Sequence, residues 1–267
     1  MSKQGHVRVG VGGWNYEPWR GTFYPPGTPQ SGELEYASRQ VTAIEINGTY
    51  YRLQKPAVYA KWRDATPEHF VFSLKAPRFI VQRKELAGAG PSIERFVASG
   101  IAELGAKLGP LLWQFEPWRH FDAADFGAFL EILPRSAGGL TLRHVVEARH
   151  KSFLTLEFLA LARRHGIAVV FVDDAKYPAF ADITADFVYA RLRRCDAAIE
   201  TGYAQGDLAM WASRAKTWAQ GSAPADLTRL EPKIEIPRSA RDVFVYFING
   251  AKEKAPAAAR ALIARLA

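Results

Sequence analysis

The sequence predicts a single (β/α)8 barrel of the TIM type, which is an α/β fold, and three observations support this prediction. Short runs of apolar, β-branched or aromatic residues occur eight times along the chain. Stretches with helical spacing of apolar residues lie between these runs. Eight strand–helix units in 267 residues fit a closed parallel barrel better than an open doubly wound sheet. Six strands, with two of the runs misassigned, would give the open sheet instead.

The eight runs are the candidate strands of the barrel, because each one is rich in residues that favour extended backbone. They cover residues 7–11, 43–46, 70–74, 111–115, 144–147, 167–172, 187–192 and 243–248. Polar residues or glycines follow nearly every run. The ends of the strands are therefore the places where chemistry is expected.

The stretches between the runs are candidate helices. Asp122 is expected to cap the helix that follows it, because its carboxylate can accept from a free N–H of the first turn. Helical spacing covers residues 93–104, 126–133, 154–162, 208–218 and 257–266. Three prolines indicate that about 222–241 is an irregular excursion before the last strand. Neither a repeat nor a linker divides the chain, so we predict one domain over residues 1–267.

The composition is that of a globular protein, with 48% hydrophobic and 23% charged residues. The net charge of +8 is compatible with a polyanion or with small anionic metabolites, but the basic residues are scattered. No apolar run approaches the roughly 20 residues that cross a membrane, and residues 1–9 lack the apolar run of a secretion signal. Cys195 is the one cysteine of the sequence. We therefore expect a cytoplasmic protein without membrane contact, and the sequence does not indicate an oligomeric state.

The functional signal is the position of polar residues at the carboxyl ends of the predicted strands. In a barrel these ends carry the active site, and the alternation of a strand decides which side chains point inward. The candidate catalytic residues are Glu147, Lys75, Glu45 and Asp173. The candidate substrate-binding residues are Trp14, Asn47, Gln114, Arg149, His150, Tyr189, Arg191 and Asn249.

These residue types are suited to general acid–base chemistry on a small polar or anionic substrate. We expect Glu147 to act as the base, and Lys75 and Arg149 to stabilise negative charge. A hydrolase, lyase or isomerase fits best, because the glycine pair Gly12-Gly13 is not a dinucleotide motif and no phosphate-binding loop is present. No cofactor is evident, although Glu45, Glu147 and Asp173 could serve as oxygen ligands for Mg or Mn.

Other interpretations of the same residues stay open. The pairs Glu45 with Lys75 and Glu147 with Arg149 could be ion pairs that only fill the barrel. The basic charge could instead serve nucleic acid, with aromatic residues of the first loop stacking on bases, although this is not favoured. The chain could also be a binding barrel without catalysis. The stacking candidates are Trp14, Tyr16, Trp19, Phe23 and Tyr24.

Two loops favour an anionic ligand. Phosphate sites of such barrels often use the loops after the seventh and eighth strands. Here Arg193-Arg194 follows the seventh strand. Asn249-Gly250 follows the eighth, where we expect it to open a helix whose free N–H groups face the site.

The chain resembles the domain-of-unknown-function family 72, the YecE-like proteins, over essentially its whole length. The resemblance implies a TIM barrel and does not imply a particular activity. One departure is that Arg193-Arg194 stands where the family pattern has His-Gly. The matching segments are residues 12–16, 19–25, 45–51, 70–78, 147–150, 184–192, 211–212 and 245–247, together with Pro67, Gln114 and Asp173.

Overall fold

The structure is a computed structural model that describes residues 5–267, so residues 1–4 of the predicted domain lie outside the described residues. Nine parallel strands form one sheet, and a separate two-stranded hairpin, β5 and β6, precedes β7. The strands are β1 Val7–Gly12, β2 Ala43–Ile46, β3 Val71–Lys75, β4 Leu108–Gln114, β5 Ser136–Ala137, β6 Leu140–Thr141, β7 His144–Glu147, β8 Ala168–Val169, β9 Phe171–Asp173, β10 Phe187–Leu192 and β11 Asp242–Phe247.

The sheet curls into a nearly closed barrel because its two end strands, β8 and β9, are two halves of one broken strand. Only Val170 separates them, and its N–H donates to Val146 O at 2.9 Å. The strand β8 pairs with β7, while β9 pairs with β10 on the opposite side. The remaining neighbours run β7, β4, β3, β2, β1, β11 and β10. The predicted eight-stranded barrel is therefore confirmed, with the sixth strand in two pieces.

Strict alternation divides the strand residues between two apolar clusters. One set faces the helices, and the other fills the barrel around Tyr189, Phe244 and Tyr246. Gly10 belongs to the inner phase, and a Cβ there would lie 1.9 Å from Ala43 O. The close approach of β1 and β2 therefore requires glycine at this position. The inner phase becomes polar toward the carboxyl ends of the strands, and this is where the candidate site lies.

Helices surround the barrel largely as predicted. Asp122 caps its helix as expected, since its Oδ1 accepts from Asp125 N at 2.9 Å. Within residues 5–267, every helix falls short of the length and apolar character needed to cross a membrane. The α-helices are α1 Glu33–Gln40, α2 Gly48–Tyr51, α3 Pro56–Asp64, α4 Arg78–Val81, α5 Gly90–Val97, α6 Ala123–Glu131, α7 Leu156–His165, α8 Gln205–Ala219 and α9 Ala255–Leu266, and short 3-10 helices cover Glu17–Trp19, Gln30–Gly32, Ala87–Ala89, Ile101–Lys107, Lys151–Phe153 and Lys252–Lys254.

One predicted helix is wrong in its extent. The helix expected over residues 93–104 ends at Val97, and a 3-10 helix starts at Ile101. Gly100 separates them with a φ of +109°, and its Cα packs so closely on Pro56 that a Cβ would lie 2.6 Å from Pro56 Cα. The segment 222–241 carries neither helix nor strand, as its prolines predict.

Candidate active site

Four polar side chains from four strands meet inside the barrel near its carboxyl end. Glu45 is the last inward-facing residue of β2. Gln114 of β4 and Glu147 of β7 lie opposite each other in the register of their strands. Arg191 comes from β10, where it pairs in register with Val172 and Tyr246. All four side chains are buried. Alternation along separate strands thus brings residues far apart in sequence into one polar layer.

Arg191 is the centre of this layer. Its Nη1 donates to Glu147 Oε2 and to Gln114 Oε1 at 3.2 Å, and its Nη2 donates to Glu45 Oε1 at 2.9 Å. Tyr189 OH donates to Glu45 Oε2 at 2.7 Å. Burial disfavours the charge of Arg191, but Glu147 and Glu45 outweigh burial and raise its pKa. Arg191 therefore stays protonated and holds two carboxylates from opposite sides of the barrel.

The structure contains one of the two ion pairs that the sequence left open as alternatives. Glu45 pairs with Arg191 rather than with Lys75. The expected pair of Glu147 and Arg149 does form, with Arg149 Nε donating to Glu147 Oε1. Tyr189 and Arg191 were expected to contact substrate, but both side chains are buried beneath the mouth of the barrel. In this structure they support Glu45 and Glu147.

The environment of Glu147 opposes the general-base role that the sequence suggested for it. Burial would raise the pKa of Glu147, but the charges of Arg191 and Arg149 outweigh burial and lower it to about 2. Each carboxylate oxygen accepts from one of these guanidinium groups. A carboxylate this acidic does not take up a proton near neutral pH. Glu147 instead holds two arginines in place.

Lys75 is the polar residue of the site without an ionic partner. Only 9% of its surface is exposed, and its Nζ lies 4.0 Å from the centre of the Tyr50 ring. Among residues 5–267, no carboxylate oxygen lies within 4 Å of this nitrogen. Burial, followed by the charge of Arg191, lowers the pKa of Lys75 to about 8. Lys75 can therefore release and accept a proton near neutral pH.

The mouth above this layer is formed by Arg149 and its neighbours. The Arg149 side chain is 11% exposed, and its Nη1 lies 3.6 Å from Glu116 Oε2. Glu116 Oε1 accepts from Tyr50 OH at 3.0 Å and from Gln114 Nε2 at 3.3 Å. Within the described chain the two Nη groups of Arg149 donate no hydrogen bond, since only its Nε is used. Both groups therefore keep hydrogen atoms that a ligand could accept.

The structure leaves several predicted site residues outside the network. Asp173 pairs in register with the outward-facing Leu192, and its carboxylate lies 3.3 Å from Arg194 Nε. Trp14 packs edge-on against Trp62, on the helix side of the barrel, with ring centres 5.3 Å apart. Burial raises the pKa of Asp173. Its carboxylate forms no hydrogen bond or ion pair with Glu45, Gln114, Glu147 or Arg191.

Three further candidates lie at the rim. The Asn47 amide is near β1, where a Cβ on Gly12 would lie 3.2 Å from its Nδ2. His150 Nδ1 lies 2.8 Å from Ser152 Oγ, and its ring contacts His120 with centres 3.9 Å apart. Asn249 is exposed. The structure thus brings Asn47, His150 and Asn249 to the same end of the barrel, without a direct hydrogen bond to Arg191.

The expectation that Asn249-Gly250 opens a helix is wrong. The helix α9 begins at Ala255, after the 3-10 helix Lys252–Lys254. Gly250 has a φ of +83° and forms a bridge with Cys195, while Ala251 N donates to Cys195 O at 2.7 Å. The backbone of the eighth loop is thus tied to the seventh loop, and the N–H expected to bind an anion is already used.

The aromatic residues of the first loop pack inward. Trp19 and Tyr24 are fully buried, and Trp19 Nε1 donates to Lys252 O at 3.0 Å. Phe23 lies between them and Tyr36 in a cluster of edge-on contacts. In this conformation these rings do not present faces on which bases could stack.

Residues that the sequence did not assign to the site also contribute to it. Ser73 Oγ and Tyr246 OH lie 2.7 Å apart, and the two residues pair in register with Glu45 and Arg191. The alternation of β4 could have assigned Glu116 to the site, since Glu116 stands two residues after Gln114 and so on the same side of the strand. Tyr50 and Tyr177 lie outside the strands, where alternation gives no signal.

The carboxylates that could have bound a divalent cation are directed at guanidinium groups. Glu45 and Glu147 both accept from Arg191, and Asp173 faces Arg194. In the part of the chain that the structure describes, no three His, Cys, Asp or Glu side chains come together as a metal-binding group.

Tyr177 covers the guanidinium group of Arg149, and its removal is expected to expose that group. The Tyr177 ring centre lies 4.9 Å from Arg149 Cζ and 5.2 Å from Arg193 Cζ. Tyr177→Ala should increase the rate at which phenylglyoxal modifies Arg149 severalfold, as measured by peptide mass spectrometry. Tyr177→Phe keeps the ring and should leave the rate unchanged. Equal rates in all three proteins would contradict this role.

Comparison with known proteins gives one family over most of the chain. The family described as "Protein of unknown function DUF72" matches residues 8–267. The UPF0759 protein YunF of Bacillus subtilis is 29% identical over 117 residues, which is 42% of this chain and 40% of YunF. The UPF0759 protein YecE of Escherichia coli is 25% identical over 150 residues, which is 55% of this chain and 50% of YecE. The chain thus spans half or less of the length of these curated relatives.

The fold also matches a solved structure. The crystal structure of a DUF72 family protein from Thermotoga maritima superposes with a TM-score of 0.69 at 22% identity, over 97% of each chain. This likeness supports the barrel assignment over the whole described length.

Proposed function

We propose that this chain, which belongs to the DUF72 family, is an enzyme that binds a small anionic substrate at the mouth of its barrel and transfers protons through Lys75. A hydrolase, lyase or isomerase fits this chemistry. The observation that carries the proposal is the presence of Lys75, a poorly exposed cation without an ionic partner among the described residues, in the same cluster as Arg149, which is paired with Glu147 and Glu116 but whose Nη groups donate no hydrogen bond.

The charge balance of the site favours an anionic ligand. Two buried carboxylates, Glu45 and Glu147, face two guanidinium groups, Arg191 and Arg149. Glu116 is the third carboxylate of the cluster, but it lies against Arg149, so the protonated form of Lys75 has no carboxylate of its own. An anion in the mouth would lower the free energy of this charge in a poorly solvated site.

Arg149 is the residue best suited to bind the anion. Glu147 fixes its Nε, which leaves both Nη groups in a planar fork. A carboxylate or phosphate can accept two parallel hydrogen bonds from such a fork. Glu147 and Gln114 are then positioning residues, because they hold the guanidinium groups and do not reach the opening themselves.

Lys75 is the residue best suited to move a proton. A general base works best when its pKa lies close to the working pH, and the pKa of Lys75 is lowered to about 8. Glu45, Asp173 and Glu147 were the other catalytic candidates. Glu45 and Glu147 are held by arginines, and Asp173 faces outward.

The proposal predicts that small anions stabilise the protein and that this depends on Arg149. Pyruvate, lactate and inorganic phosphate should be screened by thermal unfolding, since a ligand at 100 times its Kd adds about 2.7 kcal/mol to the free energy of unfolding. Arg149→Met should weaken the binding of the best anion roughly 10- to 100-fold, because it removes hydrogen bonds from a charged donor.

Arg194→Met is the matched control. The sequence placed Arg194 in a loop expected to bind an anion, but its side chain is 60% exposed and pairs with Asp173 outside the network at the same end of the barrel. Its anion affinity should equal that of the unaltered protein. Stabilisation that persists fully in Arg149→Met would contradict the proposed binding residue. A binding barrel without catalysis would show the same stabilisation but no turnover. A role with nucleic acid and a cytoplasmic location stay predictions.

A further inference from the structure

We infer that Lys75 acts as a nucleophile that forms an imine with a small carbonyl compound carrying an adjacent carboxylate, a 2-oxo acid. This inference rests on the proposed function, because it uses the same mouth and names its substrate class. It goes further in giving Lys75 a covalent role.

The surroundings of Lys75 leave its nitrogen free to attack. In residues 5–267 its Nζ forms neither a hydrogen bond nor an ion pair, and it lies over the face of Tyr50. Tyr50 is itself held by hydrogen bonds to Glu116 and from Gln82 Nε2, both at 3.0 Å. The ring therefore presents a fixed apolar face that does not compete for the lone pair. The lowered pKa of Lys75 provides the neutral amine that nucleophilic attack requires.

The same surroundings suit the product. An iminium ion carries a positive charge at the position of Nζ, where the Tyr50 face stabilises cations. Glu45 and Glu147 favour positive charge on Lys75, although burial and Arg191 oppose it. Glu116 joins Tyr50 to Arg149, since it accepts from Tyr50 OH and lies 3.6 Å from Arg149 Nη1, so Arg149 belongs to the same cluster as the ring under Lys75 and can hold the carboxylate of the substrate. A 2-oxo acid is the simplest compound that offers a carbonyl to the Lys75 amine and a carboxylate to the Arg149 guanidinium group.

The reaction balances without a further reactant. The lone pair of the Lys75 amine attacks the carbonyl carbon, and the C=O electron pair moves onto oxygen. A proton passes from nitrogen to that oxygen, which gives a carbinolamine. The C–O bond then breaks, and the hydroxyl leaves as water with the second proton of the amine. One C=N bond and one water are formed, which gives a neutral imine. The iminium ion forms when this nitrogen takes up a proton equivalent to the one that the Lys75 ammonium group released before the attack.

Two other lysines provide internal controls. Burial also lowers the pKa of Lys252, whose Nζ lies 4.3 Å from the centre of the Tyr16 ring. Lys107 is also shifted downward by burial, but its Nζ donates to Arg63 O and Thr66 O. Lys252 lies over an aromatic ring, as Lys75 does, but outside the site that contains Arg149 and Arg191. The ammonium group of Lys107 is already used in hydrogen bonds.

The experiment is reductive trapping with pyruvate and cyanoborohydride near pH 8, followed by peptide mass spectrometry. At this pH about half of Lys75 is neutral, against less than about 1% of a lysine with an ordinary pKa. We expect at least about tenfold more reduced adduct on Lys75 than on Lys252 or Lys107. Arg149→Met should reduce the adduct, and Lys75→Met should leave only the background on other lysines.

Lactate separates this inference from the proposed function. It carries the carboxylate of pyruvate without the carbonyl, so it should raise the melting temperature but form no adduct. If pyruvate and lactate both stabilise the protein and Lys75 gains no more adduct than Lys252, the imine is wrong while anion binding stands. If neither anion stabilises the protein and Lys75 is not labelled above Lys252, both proposals fail.

Discussion

Replacing Arg191 with leucine is expected to lower the free energy of unfolding by about 3–5 kcal/mol, the range found when one partner of a buried ion pair is removed. Arg191 is 2% exposed and is the shared donor to Glu45, Glu147 and Gln114. Leucine would leave Tyr189 as the one hydrogen-bond donor to Glu45 and would leave the buried Glu45 carboxylate without an ion pair. Urea unfolding followed by far-UV circular dichroism measures the loss.

Arg194→Leu is the control for this prediction. Arg194 stands three residues later, and its guanidinium group, which pairs with Asp173, is on a side chain that is 60% exposed. Exposed pairs contribute between about 0.2 and 1 kcal/mol, so this variant should remain within about 1 kcal/mol of the unaltered protein. Equal losses in the two variants would mean that the buried network adds nothing to stability beyond a surface pair.

The sequence predicts the inward-facing residues of the network because the period of a strand is two. Glu45, Gln114, Glu147 and Arg191 each lie on the phase that alternation assigns to the barrel interior. Their convergence follows from the parallel sheet, whose carboxyl ends lie on one side. These steps need only local pattern and fold class.

The partners within the network could not be predicted in this way. The sequence left open an ion pair of Glu45 with Lys75, which stand on neighbouring strands. Arg191 instead reaches Glu45 across the barrel. Which side chains meet across the interior depends on the diameter of the closed barrel, and no local sequence pattern predicts that diameter. Once Arg191 takes Glu45 and Glu147, Lys75 is left without a partner. The chemistry assigned to the site therefore moved from Glu147 to Lys75.

The contacts of loop residues were the second feature that the sequence did not predict. Asn249-Gly250 has the composition of a helix start, yet its backbone pairs with Cys195, which comes from the loop after another strand. Tyr177 lies in a loop after β9, where no periodicity applies, and it contacts Arg149 because β8 and β9 together form the strand beside β7. Such contacts depend on tertiary structure rather than on propensity.

Lys75→Met is expected to raise the free energy of unfolding by up to about 3 kcal/mol at pH 7, because the pKa falls from 10.5 to about 8 and one unit corresponds to 1.36 kcal/mol. Methionine fills a similar volume beside Tyr50 without a charge to desolvate. Between about pH 8 and 10.5 the unfolded chain binds more protons at this lysine than the folded chain does. Stability from this group therefore rises with pH across that window and is constant below it. Urea unfolding at pH 7 and at pH 10 measures the difference between the two proteins, which should shrink at the higher pH.

Lys107→Met distinguishes a functional lysine from a structural one. Lys107 is also buried enough to lower its pKa, but its ammonium group donates to two main-chain carbonyls at the end of α3. Its replacement leaves those acceptors without this donor and should destabilise the protein by about 1–3 kcal/mol. The opposite signs follow from one difference, which is whether the protein supplies partners for the buried charge. A loss of stability in Lys75→Met as large as in Lys107→Met would show that Lys75 is a structural residue. A gain would mean that the fold is less stable with a charge at this position, as is expected where a ligand supplies the missing partner.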